Sequence, residues 1–270
     1  MDANIKRVHY YHADASAIGG FFEKPVYQLV PVQAPLSLPP TGGYATSNVC
    51  DFRLEGFLSF KTASTQVSGS VHHKDGPWTT LVTSTVEGLN VGEVLTADRV
   101  VAQIVTEHPA VGYNSKVKLL GTRYENLRIA GKEITPVLDL NICMQGDGKE
   151  FPKESCFNST EFLGKVEKQY RQLASKELPG TLKERYTWDN ASRQAKGYVL
   201  CSVVNEVKGD FPGKAHGNIL DIPDFGKVFL GELIVDQGSY RLIMIRTEQG
   251  CAIQGRMSGP TVVVNGRTYP

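Results

Sequence analysis

The rhythm of the chain between Thr41 and Ile142 limits its fold more than any other feature. Here "CDFRLEGFLSFKT", "TQVSGSVHH", "WTTLVTSTVEGL", "LTADRVVAQIVTE", "KVKLLGTRYENLRIAG" and "KEITPVLDLNIC" follow one another, each bounded by Gly, Pro, Asn or Asp. Branching at Cβ stiffens Val, Ile and Thr in the extended form. Turn signals every ~8–12 residues are the mark of an all-β domain. The expected fold is mainly β and antiparallel: a sandwich, a barrel or a solenoid-like stack.

Within this run, Val100, Ala102 and Ile104 alternate with Val101, Gln103 and Val105, so both alternation sets are largely apolar. A strand apolar on both faces is expected inside the structure, with layers on either side. Gly88 and Gly92 predict a bulge or corner. Asp98, Arg99, Glu87, Glu93, Glu107 and His108 share the same stretch, but their spacing matches no catalytic pattern.

The remaining chain divides by composition. Residues 1–40 alternate short apolar runs with Pro, as in "KPVYQLVPVQAPLSLPP", and predict an edge strand or an extended strap, because Pro withholds a ladder donor. Residues 41–157 form the β-rich body. In 158–197 the period changes to that of a helix: "NSTEFLGKVEKQYRQLASKEL" sets Phe162, Val166, Tyr170 and Leu173 on one face. One amphipathic helix is expected near 159–178, opened by an Asn158–Glu161 capping box and ended by Pro179-Gly180. Residues 198–270 return to strands and complete the same domain. In "KVFLGELIVDQGSYRLIMIRTEQG" a turn at Asp236–Ser239 pairs Val235 with Tyr240, Leu233 with Leu242 and Phe229 with Arg246. That register makes Glu232 and Arg241 diagonal neighbours on an exposed face.

Charge narrows the partners. With 29 Lys and Arg against 28 Asp and Glu, no global field gathers an anionic polymer, so nucleic acid is not expected. No stretch reaches the ~18 apolar residues of a membrane span. The opening "MDANIKRVHYYHADASAIGG" lacks an apolar segment of leader length, which points to the cytoplasm or to a chain whose leader has been trimmed. The five cysteines, Cys50, Cys143, Cys156, Cys201 and Cys251, make no metal-ligand spacing. They read as buried thiols of a reducing compartment. In an exported protein, Cys143 and Cys156 would instead close the polar loop "MQGDGKEFPKES". Neither a cofactor nor a metal is expected: phosphate-binding glycine loops are absent, and Asp147, Glu150 and Glu154 lack the twelve-residue calcium pattern.

Two groups of residues carry candidate chemistry. The glycine-bounded "GKAHGNILDIPDFG" gathers Lys214, His216, Asp221 and Asp224 within eleven residues, and an Asp beside a His can orient the ring of a general base. Ser202 or Cys201 from the neighbouring strand would supply a nucleophile, although no GxSxG elbow is present. The second group is His72 and His73 before a turn, with Trp78 after it, as a ligand-binding trio. Asn158-Ser159-Thr160 and Asn190-Ala191-Ser192 spell glycosylation acceptors, the first better explained by its cap.

"TSTVEGLNVGEVLTADRVVAQ", followed by "YENLRIAGKEI", "IPDFGKVFLGELIV" and "LIMIRTEQG", resembles the β-rich bacterial proteins of the choice-of-anchor P family over about half the chain. The resemblance implies a β fold and an extracellular or cell-surface setting, and carries over no functional residue. The resulting expectation is a non-catalytic structural, adhesive or ligand-binding module, with a surface glycan or a second copy of the chain as partner. Two alternatives stand beside it. One is a hydrolase or lyase using the His/Asp cluster at 214–224. The other is self-assembly through strand-edge addition of the N-terminal segment.

Overall fold

A computed structural model describes residues 7–54, 56–71, 76–112, 114–175, 178, 180–186, 196–250 and 253–269. Its first nine strands are β1 (Val8–Tyr10), β2 (Ala13–Ser16), β3 (Ile18–Lys24), β4 (Gln28–Gln33), β5 (Leu36–Ser37), β6 (Gly43–Leu54), β7 (Leu58–Val71), β8 (Trp78–Val91) and β9 (Leu95–His108). Short strands follow: β10 (Lys116–Lys118), β11 (Arg123–Glu125), β12 (Arg128–Ile129), β13 (Lys132–Glu133) and β14 (Thr135–Leu138). Helices α1 (Thr160–Ala174) and α2 (Gly180–Arg185) come next. The chain then returns to β15 (Tyr198–Ser202), β16 (Val204–Lys208), β17 (Lys214–His216), β18 (Ile219–Ile222), β19 (Gly226–Asp236), β20 (Tyr240–Gln249), β21 (Gln254–Val264) and β22 (Arg267–Tyr269).

These strands build two large antiparallel sheets. The first orders β13-β12-β9-β8-β7-β6, with β10 and β11 also on β9; the second orders β17-β18-β19-β20-β21-β2-β5, with β15 on β19 and β3 and β4 beyond β21. Strands β20, β21 and β2 lie over β7, β8 and β9, so the sheets pack face to face. Neither sheet closes, and the pairing is non-local and antiparallel, which leaves the sandwich of the three expected architectures. Val86, Val100 and Ile104 from one sheet and Phe229, Leu242 and Val262 from the other are fully buried in one core. Each such side chain stabilises the fold by roughly 1.5–3 kcal/mol relative to exposure. Ser84 on β8 reaches across the layers, its hydroxyl donating to the Ser16 carbonyl at 2.9 Å.

The expected hairpin holds in register: Val235 pairs with Tyr240, Leu233 with Leu242 and Phe229 with Arg246. The helical face also holds, with Phe162, Val166, Tyr170 and Leu173 all buried. Gly88 and Gly92 both adopt positive φ, at +64° inside β8 and +57° in the β8–β9 turn.

Several expectations are corrected. "CDFRLEGFLSFKT" is not one strand but the β6–β7 hairpin. "GYVLCSVVNEV" breaks at Val203, because β15 pairs with β19 while β16 pairs with β14. In the N-terminal segment, β2 and β3 pair with β21 of the same chain, and β4 and β5 are outer strands. Helix α1 ends at Ala174, and a second helix begins at Gly180. The N-cap of α1 is Ser159, whose side chain accepts from the Phe162 amide, rather than Asn158. Only one face of β9 is solidly covered: Val100, Ala102 and Ile104 are buried, but of the opposite set Val101 alone is. Glu232 does not meet Arg241. Gly231, at φ +60°, turns the strand, and Glu232 forks onto Arg246 instead. Among the described residues no helix is long and apolar enough to cross a membrane.

Candidate functional site

The first and last strands meet in a two-stranded ribbon, with Val8 opposite Tyr269, His9 opposite Thr268 and Tyr10 opposite Arg267. Alternation along β1 turns His9 inward, 7% exposed, between exposed Val8 and Tyr10. Its ring lies edge-on to Tyr11 at 4.6 Å, stacks on Trp78 at 5.5 Å and 13°, and approaches the His108 ring at 4.5 Å. His9 Nδ1 shares a hydrogen bond with Thr268 Oγ1 at 2.9 Å, and its buried Nε2 has no hydrogen-bond partner among the described residues.

Both imidazoles are held neutral. Burial lowers His9 to about 4. Burial first, and repulsion from His9 second, lower His108 to about 3. Neutrality follows from the surroundings: aromatic faces and a hydroxyl solvate a cation far less well than water does.

His108 forms the floor of an open cleft of about 570 Å³, whose walls include Asn114, Ser155, Asp236, Arg267 and Tyr269. Each wall comes from a different part of the chain. The β19–β20 turn presents Asp236, whose Oδ1 accepts from the Gly238 and Ser239 amides at 2.9 and 2.6 Å. That arrangement is the side-chain-to-backbone turn for which Asp is favoured. The connection after β9 supplies Asn114, its amide fixed by donation to the Lys153 carbonyl at 2.8 Å. Ser115 beside it bonds the Tyr240 hydroxyl, whose pKa burial pushes well up. The Ser155 hydroxyl is buried, with no hydrogen-bond partner among the described residues. At the rim, Tyr269 is 47% exposed and meets Tyr10, 52% exposed, edge to face at 5.8 Å.

The residues expected from sequence lie elsewhere. Lys214 sits opposite Asp221, and His216 opposite Ile219, in the β17–β18 hairpin. His216 is buried, Lys214 and Asp224 are exposed, and Asp224 occupies a turn at φ +59°. The cluster is thus a turn-rich hairpin, and none of its four members lines the cleft. Ser202 is engaged structurally, donating to the Leu230 carbonyl and accepting from the Val204 amide, both at 2.9 Å. Burial pushes the Cys201 thiol well up, away from a nucleophilic thiolate. His72 and His73 lie outside the described residues, as do Cys251 and the Asn190 acceptor. Trp78 is buried, its ring stacked on His9, and it is not among the residues that line the cleft. Among the described residues no group of three or more His, Cys, Asp or Glu side chains is placed to hold a metal ion.

The missed residues left one signal. His108 falls on the same parity of β9 as Val100, Ala102 and Ile104, so alternation alone directs its imidazole to the covered face.

The fold and cleft define a mainly β antiparallel sandwich with a tyrosine-rimmed cleft of mixed polar and apolar lining beside the β1–β22 ribbon. The chain belongs to the family described as Domain of unknown function (DUF8256), whose model matches residues 9–236. No curated protein and no solved structure matches it.

Proposed function

We propose that the chain is a non-catalytic ligand-binding module, of the surface or extracellular type that its resemblance to choice-of-anchor P proteins suggests, and that its cleft takes a unit of a glycan. The observation that carries this reading is the exposed Tyr269 ring at the rim of a cleft whose wall holds the Ser155 hydroxyl, buried and without a hydrogen-bond partner among the described residues. A sugar offers the complementary chemistry, with an apolar C–H face for an aromatic ring and hydroxyls for planar polar groups such as Asn114, Asp236 and Arg267. The volume, about 570 Å³, falls within the ~300–1,000 Å³ of small-molecule sites. Groups poised for proton transfer would argue for catalysis. Here burial makes both imidazoles weak bases, and the rings packed on His9 are those of Tyr11, Trp78 and His108.

The test is calorimetric titration of a panel of mono- and disaccharides into the full chain and into Tyr269→Ala and Arg267→Ala. A saturable ligand whose affinity falls at least tenfold in both variants supports the reading. No saturable sugar, or affinities unchanged in both variants, overturns it.

Self-assembly is a second reading, supported by the outer strand β4, where Leu29 and Val32 are exposed beside Val26 and Tyr27. Light scattering on the parent and on Leu29→Lys/Val32→Lys decides it. A monomeric parent, or an oligomer unaffected by the change, removes it.

A further inference from the structure

Beneath the loop between β14 and α1 lies a second cavity, of about 240 Å³ and more enclosed than the cleft. The apolar part of its wall is made by Val117 from β10, Leu140, Cys143 and Met144 at the start of the loop, and Cys156 at its end, while Asp147 and Glu150 of the loop also line it. Val117, Cys143 and Cys156 are 6%, 5% and 3% exposed, so these side chains turn inward. The two thiols lie side by side within hydrogen-bonding reach, and burial keeps Cys156 firmly protonated. Buried cysteine side chains behave here as small apolar surface.

Two lysines stand at the mouth, and neither is available to an anion. Lys116 donates to the Lys149 carbonyl at 2.5 Å and lies 4.5 Å above the Phe151 ring. Lys118 pairs with Glu107 at 2.7 Å. Both lysines are therefore engaged by the protein, as is Asp147, which pairs with Lys149 at 3.5 Å, and the apolar part of the wall presents carbon and sulfur.

We propose that this cavity is a binding site, separate from the cleft, for a small uncharged apolar molecule. A cavity of ~150 Å³ lined by apolar side chains stays dry and holds benzene, so on the same scale this one holds about ten non-hydrogen atoms. Ser115 lines both spaces, and the Ser155–Cys156 step divides them, with Ser155 on the cleft and Cys156 on the cavity. A sugar in the cleft and an apolar molecule in the cavity would therefore bind without overlapping.

Indole, with nine non-hydrogen atoms, is the probe. Calorimetry on the full chain should give saturable indole binding, weakened at least tenfold by the space-filling Cys143→Phe and by Met144→Trp. Met144 is only half-buried, so its replacement keeps the test alive should Cys143→Phe fail to fold. Xenon should shift the methyl resonances of Val117 and Met144 in the parent chain. Absence of saturable indole binding, affinity unchanged in the folded variants, or methyl resonances indifferent to xenon each overturns the proposal. The sugar titration does not enter this readout, so the two sites fail or stand separately.

Discussion

Arg246 on β20 forks onto Glu232 on β19, with Nε 2.5 Å from Oε2 and Nη2 2.9 Å from Oε1, while its guanidinium carbon lies 3.6 Å above the Phe229 ring. Glu232 is 2% exposed and also accepts from the Tyr186 hydroxyl at 3.2 Å, and Arg246 reaches Glu248 as well. The network ties the α2 end to the second sheet through one buried carboxylate.

Breaking one side of this pair leaves a buried charge without its partner, which costs ~3–5 kcal/mol, whereas replacing both with apolar groups costs far less. Arg246→Met is thus expected to lower the denaturation midpoint strongly in urea. Arg246→Met combined with Glu232→Leu should recover much of the loss. A double variant no more stable than the single one would show that the pair does not act as a unit.

Stability is expected to fall in mild acid because of His9 and His108. In the unfolded chain each imidazole takes up a proton near its ordinary pKa of 6.5, but in the folded chain only near about 4 and about 3. Between those values the unfolded state binds more protons, so stability rises with pH across this window and is lost as pH falls through it. The combined effect is on the order of several kcal/mol. Urea midpoints at pH 7 and pH 5 measure it, and His108→Leu should shrink the difference between them. An equal pH dependence in parent and variant would refute the assignment.

Two glycines should respond oppositely to alanine. A Cβ on Gly231, at φ +60°, would meet Val203 Cγ2 at 2.6 Å, where β19 changes partner from β18 to β15. Strain and overlap together should cost ~1–3 kcal/mol. Gly164 on α1 meets nothing within 4 Å, and its replacement by alanine should stabilise by up to ~1 kcal/mol. Thermal midpoints moving in opposite directions confirm the contrast; Gly231→Ala at parental stability would contradict it.

Capping separates Ser159 from its neighbour. Ser159→Ala removes the side chain that accepts from the Phe162 amide and should cost ~1 kcal/mol. Asn158→Ala, at an exposed position outside the helix, should cost little. Equal losses in the two midpoints would return the cap to Asn158.

Local chemistry made parts of this structure legible in sequence. Asp236 and Ser239 mark a turn by residue type, and the turn alone sets nine pairings of the β19–β20 hairpin. Period alone places Phe162 and Tyr170 on the buried face of α1. Glu232 was misplaced because a single positive φ at Gly231 overrides strict alternation, and sequence gives no warning of which glycine does so. Likewise, nothing local to Val203 shows that the strands on either side of it join different sheets. The cleft was invisible for the same reason. His108 betrays itself by parity, but Asn114, Asp236 and Arg267 converge only through pairings that span most of the chain.

The β1–β22 ribbon gives the cleft an unusual sensitivity. Arg267, Thr268 and Tyr269 are held by a strand whose contact lies 259 positions away, between His9 and Thr268. A three-residue ribbon can open locally at a small fraction of the global unfolding free energy. Fraying of the two ends would dismantle the cleft wall while both large sheets stay intact. Occupancy of the cleft would then draw the ends together, and protection of the Tyr10 and Thr268 amides from hydrogen exchange would report a bound ligand before any probe of the core registers it.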